Sequence, residues 1–258
     1  MRVLLPPAVI GVIGGGQLGM MTVREAQRMG YRTVVWDPQR ECPAARLADE
    51  AIAAPFDDPN VATLLTDHAD VVTYEFENID SATVEKVERV VPVHPGSSIL
   101  KIAQHRRIEK TELVKRGFPV VPHRGASGVQ EIEKSISELG FPVVVKTATT
   151  GYDGKGQAVL RSGQEAQQYF QQVHDSSAEV VVEKFLDLLC ELSCIVVRDS
   201  GGHVVAFPIA ENVHRNNILH RTIVPSTVSE SLVRQATELG RAIIDSFGIV
   251  GVLCVEMF

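Results

Sequence analysis

The chain has 258 residues, of which 45% are hydrophobic and 22% are charged, and its formal net charge is −7. This composition is ordinary for a soluble globular protein with one or two sizeable cores. The acidic balance and the lack of a basic tract argue against a nucleic-acid partner, and no apolar run reaches the length of a membrane span.

The first sixteen residues, MRVLLPPAVIGVIGGG, begin like a secretory signal, with one positive charge followed by apolar residues. However, Pro6 and Pro7 interrupt the run, which continues directly into a glycine-rich turn. We therefore interpret residues 8–14 as a buried strand and expect a cytoplasmic location. None of the cysteines forms a CxxC pair, so we expect them to be reduced and structural.

The first hundred residues alternate between strand and helix patterns. Strands are predicted at 8–14, 32–37, 70–76 and 91–95, and helices at 17–30 and 81–90. Strands separated by helical stretches predict an α/β architecture with a parallel, doubly wound sheet. We assign residues 1–96 to this Rossmann-like domain.

The rest of the chain, residues 97–258, has a different pattern. It begins with a predicted long helix at 97–116. An α+β segment follows, with helices at 129–140 and 163–173 and strands at 142–148, 157–161 and 178–185. Two alternating runs joined by Ser-Gly-Gly, 190–199 and 203–212, predict a β-hairpin. An amphipathic helix at 227–248 and a strand at 249–258 come last.

A glycine fingerprint, Gly14-x-Gly16-x-x-Gly19, follows the first strand, and Asp37 ends the second strand. In this context the fingerprint predicts a dinucleotide or another phosphorylated ligand at the start of the helix. The alternative is a tight turn that binds no ligand. Glu75 and Glu77 end a later strand, where they could bind ligand hydroxyls or an amine, or could simply be solvated.

Lys146 ends the apolar strand PVVVK and precedes the glycine-rich segment TGYDGKGQ, residues 150–157. This spacing is not that of a P-loop. The strand-end lysine and the N–H groups of the loop together favour phosphate binding.

Three further segments give weaker signals. Residues 183–186, Glu-Lys-Phe-Leu, could present main-chain groups to an adenine, and Glu191 could bind ribose hydroxyls. The segment Glu211-Asn212-x-His214 reads by itself as a polar loop. Glu256 lies in line with apolar positions of the last strand and could bind Mg²⁺, or could be an exposed strand end.

The order of these motifs resembles the ATP-grasp superfamily. Within it, the segments IGGGQLG, TYEFENI, TGYDGKGQ, EKFL, ENVHRNNI and GVLCVEMF are similar to those of the N5-carboxyaminoimidazole ribonucleotide synthases. The resemblance implies an ATP-grasp fold for residues 97–258, with a lid at about 122–184. It also implies a reaction in which ATP and bicarbonate carboxylate 5-aminoimidazole ribonucleotide through carboxyphosphate, in purine biosynthesis.

The same resemblance implies roles for individual residues. Residues that would contact ATP are Arg106, Lys146, Gly151, Tyr152, Asp153, Gly154, Lys155, Gly156, Gln157, Glu183, Lys184, Phe185, Leu186, Glu191 and His214. Residues that would face the ribonucleotide are Gly16, Gln17, Leu18, Glu75, Tyr152 and Asp153. Lys146, Tyr152 and Asp153 would act in catalysis, and Glu256 would bind Mg²⁺. A homodimer is also expected of the complete protein.

Two departures and several alternatives accompany this interpretation. His105 stands where the family pattern has an acid, and the second Mg²⁺-binding acid and a C-terminal domain are missing after Phe258. Other ATP-grasp ligases, such as a formate-using glycinamide ribonucleotide transformylase or a biotin carboxylase, remain alternatives. So do an NAD-dependent oxidoreductase, which the glycine fingerprint and Asp37 favour, and a non-catalytic subunit.

We expect residues 1–258 alone to have little synthase activity, because one carboxylate is not expected to hold a catalytic pair of Mg²⁺ ions. An assay of ADP release in the presence of bicarbonate and 5-aminoimidazole ribonucleotide checks this expectation. Release at the rate of a complete synthase would contradict it.

Overall fold

The computed structural model describes residues 3–149, 156–172, 178–216 and 218–258. Within these ranges the helices are α1 Gln17–Arg28, α2 Pro59–His68, α3 Ser81–Glu88, α4 Ser97–Ala103, α5 Arg106–Lys115, α6 Val129–Leu139, α7 Gly163–Gln172 and α8 Glu230–Ser246. The strands are β1 Val9–Ile13, β2 Arg32–Asp37, β3 Glu50–Ala53, β4 Val71–Tyr74, β5 His123–Ser127, β6 Val143–Thr147, β7 Gln157–Leu160, β8 Glu179–Lys184, β9 Glu191–Arg198, β10 Val204–Ala206, β11 Ala210–Arg215, β12 Ile218–Ile223 and β13 Gly251–Met257.

The chain divides into two compact units. The first unit comprises residues up to 101 together with 197–205 and 247–253. The second comprises the remaining segments, 102–196, 206–246 and 254–258. The domain boundary between residues 96 and 97 and the lid at 122–184 stay predictions.

The first unit contains a four-stranded parallel sheet in the order β3-β2-β1-β4. Successive residues of β1 point to opposite faces, and both faces are covered. Ile13 belongs to one buried cluster with Leu65 of α2, whereas Val12 and Val35 belong to another with Val23 of α1. Helices therefore pack on both faces, which confirms the predicted doubly wound sheet.

The strand predicted at 91–95 is wrong. The segment forms only a single parallel bridge, in which Val93 lies opposite Val72 of β4. Pro92 and Pro95 have no backbone N–H group, so the segment cannot donate the hydrogen bonds of a full ladder. The sequence analysis did not identify β3 and α2, which lie between the predicted second and third strands.

The single helix predicted at 97–116 is also wrong, because α4 and α5 are separate. His105 has an extended backbone with φ −133° and ψ 100°. The N–H group of Arg106 donates to the carbonyl of Ala148 at 2.8 Å, where a continuous helix would use the carbonyl of Ile102. A tertiary hydrogen bond thus interrupts the helix and gives α5 its own N-terminus beside the end of β6.

The second unit contains a four-stranded antiparallel sheet in the order β5-β8-β6-β7. On one face, Val143, Val145 and Val182 form a buried cluster with Ile132 of α6 and Ala166 of α7. Alternation along β6 and β8 places Lys146, Glu179 and Glu183 on the opposite face, whereas Lys184 lies on the helix-covered face. The face opposite the helices carries the cluster described below.

The third sheet has the order β10-β9-β11-β12, and β13 pairs with β9. The neighbouring strands β9 and β10 confirm the predicted hairpin, but the second predicted run, 203–212, divides into β10 and the start of β11. The segment that was interpreted as a polar loop instead forms an antiparallel hairpin of β11 and β12, with an irregularity between Val213 and His214. The polar composition of β11 concealed its strand character, and β12 is largely exposed, so neither strand shows a buried apolar face in the sequence.

Two predicted elements near the end of the chain form with shifted bounds. The helix predicted at 227–248 is α8, and the strand predicted at 249–258 is β13. Among the described residues, none of the helices has the length and apolar character needed to cross a membrane.

Asp80 caps α3 and makes this helix sensitive to acid. Its carboxylate accepts hydrogen bonds from the Thr83 hydroxyl at 2.5 Å and from the Thr83 N–H at 2.9 Å. These bonds, and a weaker one from the N–H of Ala82, lower the pKa of Asp80. The carboxylate therefore stabilises the folded state above its unfolded pKa of about 4, and this contribution is lost as the pH falls through the lower folded value.

We expect Asp80→Ala to lower the free energy of unfolding by about 1 kcal/mol at pH 7. The difference from the wild type should begin to shrink below about pH 4, where the unfolded chain binds the proton, and should vanish below the lower folded pKa, where the cap is itself protonated. Urea denaturation at several pH values measures this effect. Asp57→Ala, at an exposed neighbouring loop position, is the control, and an equal loss in both variants would contradict the assignment of the cap.

Candidate functional site

The glycine fingerprint of the first unit is occupied by the protein's own carboxylates. Glu75 follows β4 and accepts hydrogen bonds from the N–H of Gly16, at 2.9 Å, and from the N–H of Gly19. Asp37, at the end of β2, accepts one from the N–H of Gly15 at 2.8 Å. The backbone donors that a dinucleotide phosphate would use in a Rossmann fold are therefore already paired.

The ribonucleotide-facing residues predicted in this unit lie together. Gly16 and Glu75 line a cavity of about 300 Å³ at the carboxyl edge of the sheet, with Asp37 and Phe76 among its other walls. Gln17 and Leu18 form the exposed first turn of α1 beside it. Glu75 thus lies at the predicted location, but its carboxylate already accepts two hydrogen bonds from backbone N–H groups of the protein.

An ionic cluster lies on the charged face of the second unit's antiparallel sheet. Glu183 of β8 is buried, with 5% of its surface exposed, and its two oxygens lie 2.8 Å from Lys146 Nζ and 2.9 Å from Lys110 Nζ. Burial opposes the charged form of Glu183, but the charges of Lys146 and Lys110 together outweigh it and lower the pKa of this carboxyl. Glu183 is therefore ionised at neutral pH and holds two ammonium groups close together.

Arg106 approaches the same end of β6 from the start of α5. Its guanidinium donates to the carbonyl of Thr147 at 2.9 Å, and its backbone N–H binds Ala148. Lys110 lies one helical turn further along α5, so the two cations share a face of the helix. Arg106 and Lys146, which were predicted to contact phosphate, thus both lie where β6 meets α5.

The three residues after Glu183, which were predicted to contact ATP, lie in different environments. The ammonium group of Lys184 lies 3.1 Å and 3.0 Å from the carbonyls of Leu139 and Gly140, at the C-terminal end of α6. It therefore stabilises the carbonyl end of that helix. The N–H of Phe185 donates to Pro142, and Leu186 is exposed. Any contact of these three residues with a nucleotide stays a prediction.

Two residues predicted separately, Glu191 and His214, are in direct contact. The carboxylate of Glu191, at the start of β9, lies 2.6 Å from Nδ1 of His214 on β11. Residues 191 and 212 face each other in the ladder of these strands, which brings the two side chains together. The pair supports a common role for them, and the pairing of β9 with β11 that creates it was not expected from the sequence.

Glu256 lies on β13 near a second acid that the sequence analysis did not single out. Burial raises the pKa of Glu109 on α5; Lys110 and Arg106 oppose this rise, whereas Glu183 and Glu256 add to it. Among the described residues, no three histidine, cysteine or acidic side chains lie close enough together to hold a metal ion. The role of Glu256 in binding Mg²⁺ stays a prediction.

The glycine-rich loop lies mostly outside the described residues, which include none of Gly151, Tyr152, Asp153, Gly154 and Lys155. Its two flanks are described. The N–H of Thr147 donates to the carbonyl of Gly156 at 2.8 Å, and Gln157 pairs with Lys146 in the ladder of β6 and β7. The flanks of the loop therefore meet beside the ionic cluster.

His105, which stands where the sequence analysis expected an acid, contacts a carboxylate. Its Nε2 lies 3.2 Å from the carboxylate of Glu179, which also contacts Arg107 at 2.6 Å. An acid at position 105 would bring a second negative charge next to Glu179. The sequence analysis missed Glu179, because 74 residues separate it from its histidine partner.

We expect Glu183→Gln to lower the free energy of unfolding by about 2–3 kcal/mol, since two ammonium groups then lose their counter-charge. The value lies below that of a fully buried pair because the lysine side chains keep 15% and 24% of their exposure. Lys110→Met should restore part of the loss in the Glu183→Gln background. Urea denaturation of the four variants of this cycle measures the coupling.

The exposed Glu133→Gln on α6 is the matched control and should change stability by less than about 0.5 kcal/mol. Additive effects of the two cluster substitutions would contradict the proposed pairing.

Comparison with known families agrees with this geometry. Residues 8–104 match the ribonucleotide synthetase preATP-grasp domain, and residues 111–258 match the ATP-grasp domain. The first match ends in the break between α4 and α5, and the second begins within α5.

Individual relatives support the same family assignment. The chain is 37% identical over 257 residues to the N5-carboxyaminoimidazole ribonucleotide synthase of Bacillus subtilis, covering 100% of this chain and 67% of the relative. A solved ADP complex of an N5-carboxyaminoimidazole ribonucleotide synthetase is 42% identical with a TM-score of 0.95, covering 100% of this chain and 68% of that one.

An Aspergillus clavatus enzyme of the same name, solved with ADP and 5-aminoimidazole ribonucleotide, is 27% identical with a TM-score of 0.83, covering 97% and 66%. The chain thus spans about two thirds of the length of these relatives. By these matches the chain belongs to the ATP-grasp family and, within it, to the N5-carboxyaminoimidazole ribonucleotide synthases.

Proposed function

We propose that this chain supplies the nucleotide-binding and acceptor-binding parts of an enzyme that carboxylates 5-aminoimidazole ribonucleotide. Bicarbonate attacks the γ-phosphorus of ATP, which releases ADP and forms carboxyphosphate. The exocyclic amine of the ribonucleotide then takes the carboxyl group, and phosphate and a proton leave. Relatives solved with ADP and with this ribonucleotide support the proposal.

The observation that carries the proposal is the group of cations around Glu183. Lys146 and Lys110 contact this carboxylate, and Arg106 lies at the end of the same strand. Phosphoryl transfer depends mainly on positioning and on neutralising negative charge. In the proposed mechanism, Glu183 keeps Lys146 charged and oriented, and Lys146 and Arg106 bind the nucleotide phosphates.

The remaining nucleotide contacts follow from the same arrangement. Glu191 binds the ribose hydroxyls, while His214 orients its carboxylate through their contact. The main chain of Phe185 and Leu186 borders the adenine. The loop at 151–157 closes over the phosphates, because carboxyphosphate hydrolyses when water has access to it.

The described residues also fit a divalent cation held mainly by the nucleotide. Mg²⁺ takes one or two carboxylates together with phosphate oxygens, and Glu256 has an exposed carboxylate near the ionic cluster. The ion would neutralise phosphate charge during the transfer. Assignment of the ion, of bicarbonate and of a homodimer rests on the family resemblance.

The acceptor is proposed to bind the first unit. There, Gly16 precedes α1, Gln17 and Leu18 begin it, and Glu75 can accept hydrogen bonds from the ribonucleotide. The family resemblance also assigns Tyr152 and Asp153, which lie outside the described residues, to the ribonucleotide. The pairing of the fingerprint N–H groups with Glu75 and Asp37 argues against the NAD-dependent oxidoreductase.

We expect Asp153→Ala to reduce carboxylation at least a hundredfold while the Kd for ATP changes less than threefold, because Asp153 is proposed to act on the acceptor. The variant is made in a chain extended to the length of the relatives. Isotope incorporation from labelled bicarbonate measures carboxylation, and calorimetry measures ATP binding.

Lys146→Met is the matched control and should weaken ATP binding itself, because it removes a phosphate contact. Equal losses of carboxylation and ATP binding in Asp153→Ala would contradict an action on the acceptor and would indicate that the loop only binds phosphate. Turnover with glycinamide ribonucleotide or biotin in place of the aminoimidazole ribonucleotide would overturn the proposed acceptor.

A further inference from the structure

The glycine fingerprint of the first unit is shaped around a side chain of the same unit. Glu75 lies 59 residues from Gly16 and 56 from Gly19, yet its two oxygens bind one N–H group of each. Gly16 precedes α1 and Gly19 lies in its first turn. The carboxylate therefore lies at the positive end of the helix dipole, where an anionic ligand would otherwise be stabilised.

The close approach of Glu75 to the turn requires glycine at positions 14, 16 and 19. A Cβ atom would lie 2.6 Å from Glu75 Cγ if added at Gly14, and 2.6 Å from Glu75 Oε1 if added at Gly16. At Gly19 it would lie 3.0 Å from Glu75 Oε2 and 2.4 Å from the carbonyl oxygen of Gly14. A residue that brings its backbone so near a carboxylate has no room for a side chain.

The carboxylate of Asp37, the second acid at this turn, also accepts hydrogen bonds from the protein itself. One of its oxygens accepts from the N–H of Gly15 at 2.8 Å, and the other accepts from the N–H of Gln39 at 2.7 Å. In dinucleotide-binding folds an acid at this position binds the ribose of the ligand. Here both oxygens have partners within the protein.

We propose that Glu75 is a resident anion of the fingerprint loop and determines which class of ligand the first unit accepts. Its carboxylate occupies the anion position at the start of α1 and excludes phosphate groups, including the pyrophosphate of a dinucleotide, from that position. Glu75 also lines the cavity of about 300 Å³ beside this turn, where its carboxylate can accept further hydrogen bonds from hydroxyl or amino groups of a ligand. The unit therefore selects a ligand by its hydrogen-bond donors. The role of Glu75 as an acceptor for the ligand rests on the function proposed above, whereas the exclusion of phosphate rests on its hydrogen bonds to the turn alone.

A double-mutant cycle tests whether the glycines serve Glu75. Gly16 has φ −69°, which any residue can adopt, so the destabilisation by Gly16→Ala should arise from contact with Glu75. In the Glu75→Ala background that destabilisation should be at least halved. Gly14 has φ +97°, and Gly14→Ala should stay destabilising in both backgrounds because of backbone strain. An unchanged effect of Gly16→Ala in the Glu75→Ala background would overturn the inference.

An anion-rescue experiment tests whether the carboxylate occupies an anion site. Hydrogen exchange of the Gly16 and Gly19 amides is followed with saturating ADP present throughout, so that the phosphate-binding residues of the second unit are occupied. Glu75→Ala should accelerate exchange at both amides by about tenfold or more, and sulfate should restore part of the protection. Glu77→Ala, which removes an exposed acid two residues further on, should leave exchange unchanged.

Two results would overturn the proposal: unchanged exchange in Glu75→Ala, or accelerated exchange that neither sulfate nor pyrophosphate slows. Binding of NADH by the wild type that protects these amides further would also overturn it. If Glu75→Ala fails to fold by circular dichroism, Glu75→Gln replaces it. Gly16 and Gly19 donate to different oxygens of Glu75, and in Gln one of these oxygens is replaced by an NH2 group, which cannot accept, so one of the two glycine amides should keep its protection while the other exchanges faster.

Discussion

The carboxylate of Glu75, bound to the start of α1, fixes the arrangement of the carboxyl edge of the first sheet. It ties the segment after β4 to the turn after β1, and Asp37 ties the end of β2 to the same turn. Three backbone N–H groups that begin a helix are thereby paired without a ligand. A fold that usually binds a phosphate at this edge has instead a fixed acceptor there, and this changes the chemistry that the edge can recognise.

A related arrangement organises the second unit, with the signs of the charges reversed. Glu183 is a buried anion whose function is to hold the cations Lys146 and Lys110 in place. Removing charges from water costs free energy, and their mutual attraction offsets this cost only where the geometry is close. The cluster therefore contributes orientation more than stability. If these cations bind the nucleotide as proposed, their fixed positions reduce the reorganisation that phosphate transfer requires.

In the antiparallel sheet of the second unit, one face packs against the core and the other carries the ionic cluster. One face of β6 and β8 is a valine-rich core covered by α6 and α7, and the other carries Lys146 and Glu183. A core packed on one side holds the charged side chains at fixed positions on the other. The interruption between α4 and α5 completes the arrangement, because it directs the start of α5, with Arg106 and Lys110, toward the same end of β6.

The sequence by itself determined the strongly periodic elements, the parallel sheet, the glycine turn and the order of motifs that indicates the ATP-grasp family. These features are local, because each is encoded by side-chain period or by glycine within a few residues. Only the tertiary structure decided where the helix at 97–116 breaks, that β11 and β12 form a hairpin, and which partners Glu75, Lys184 and Glu191 have. Those outcomes depend on hydrogen bonds and ion pairs between distant segments, which override local propensity and have no signature in a single sequence.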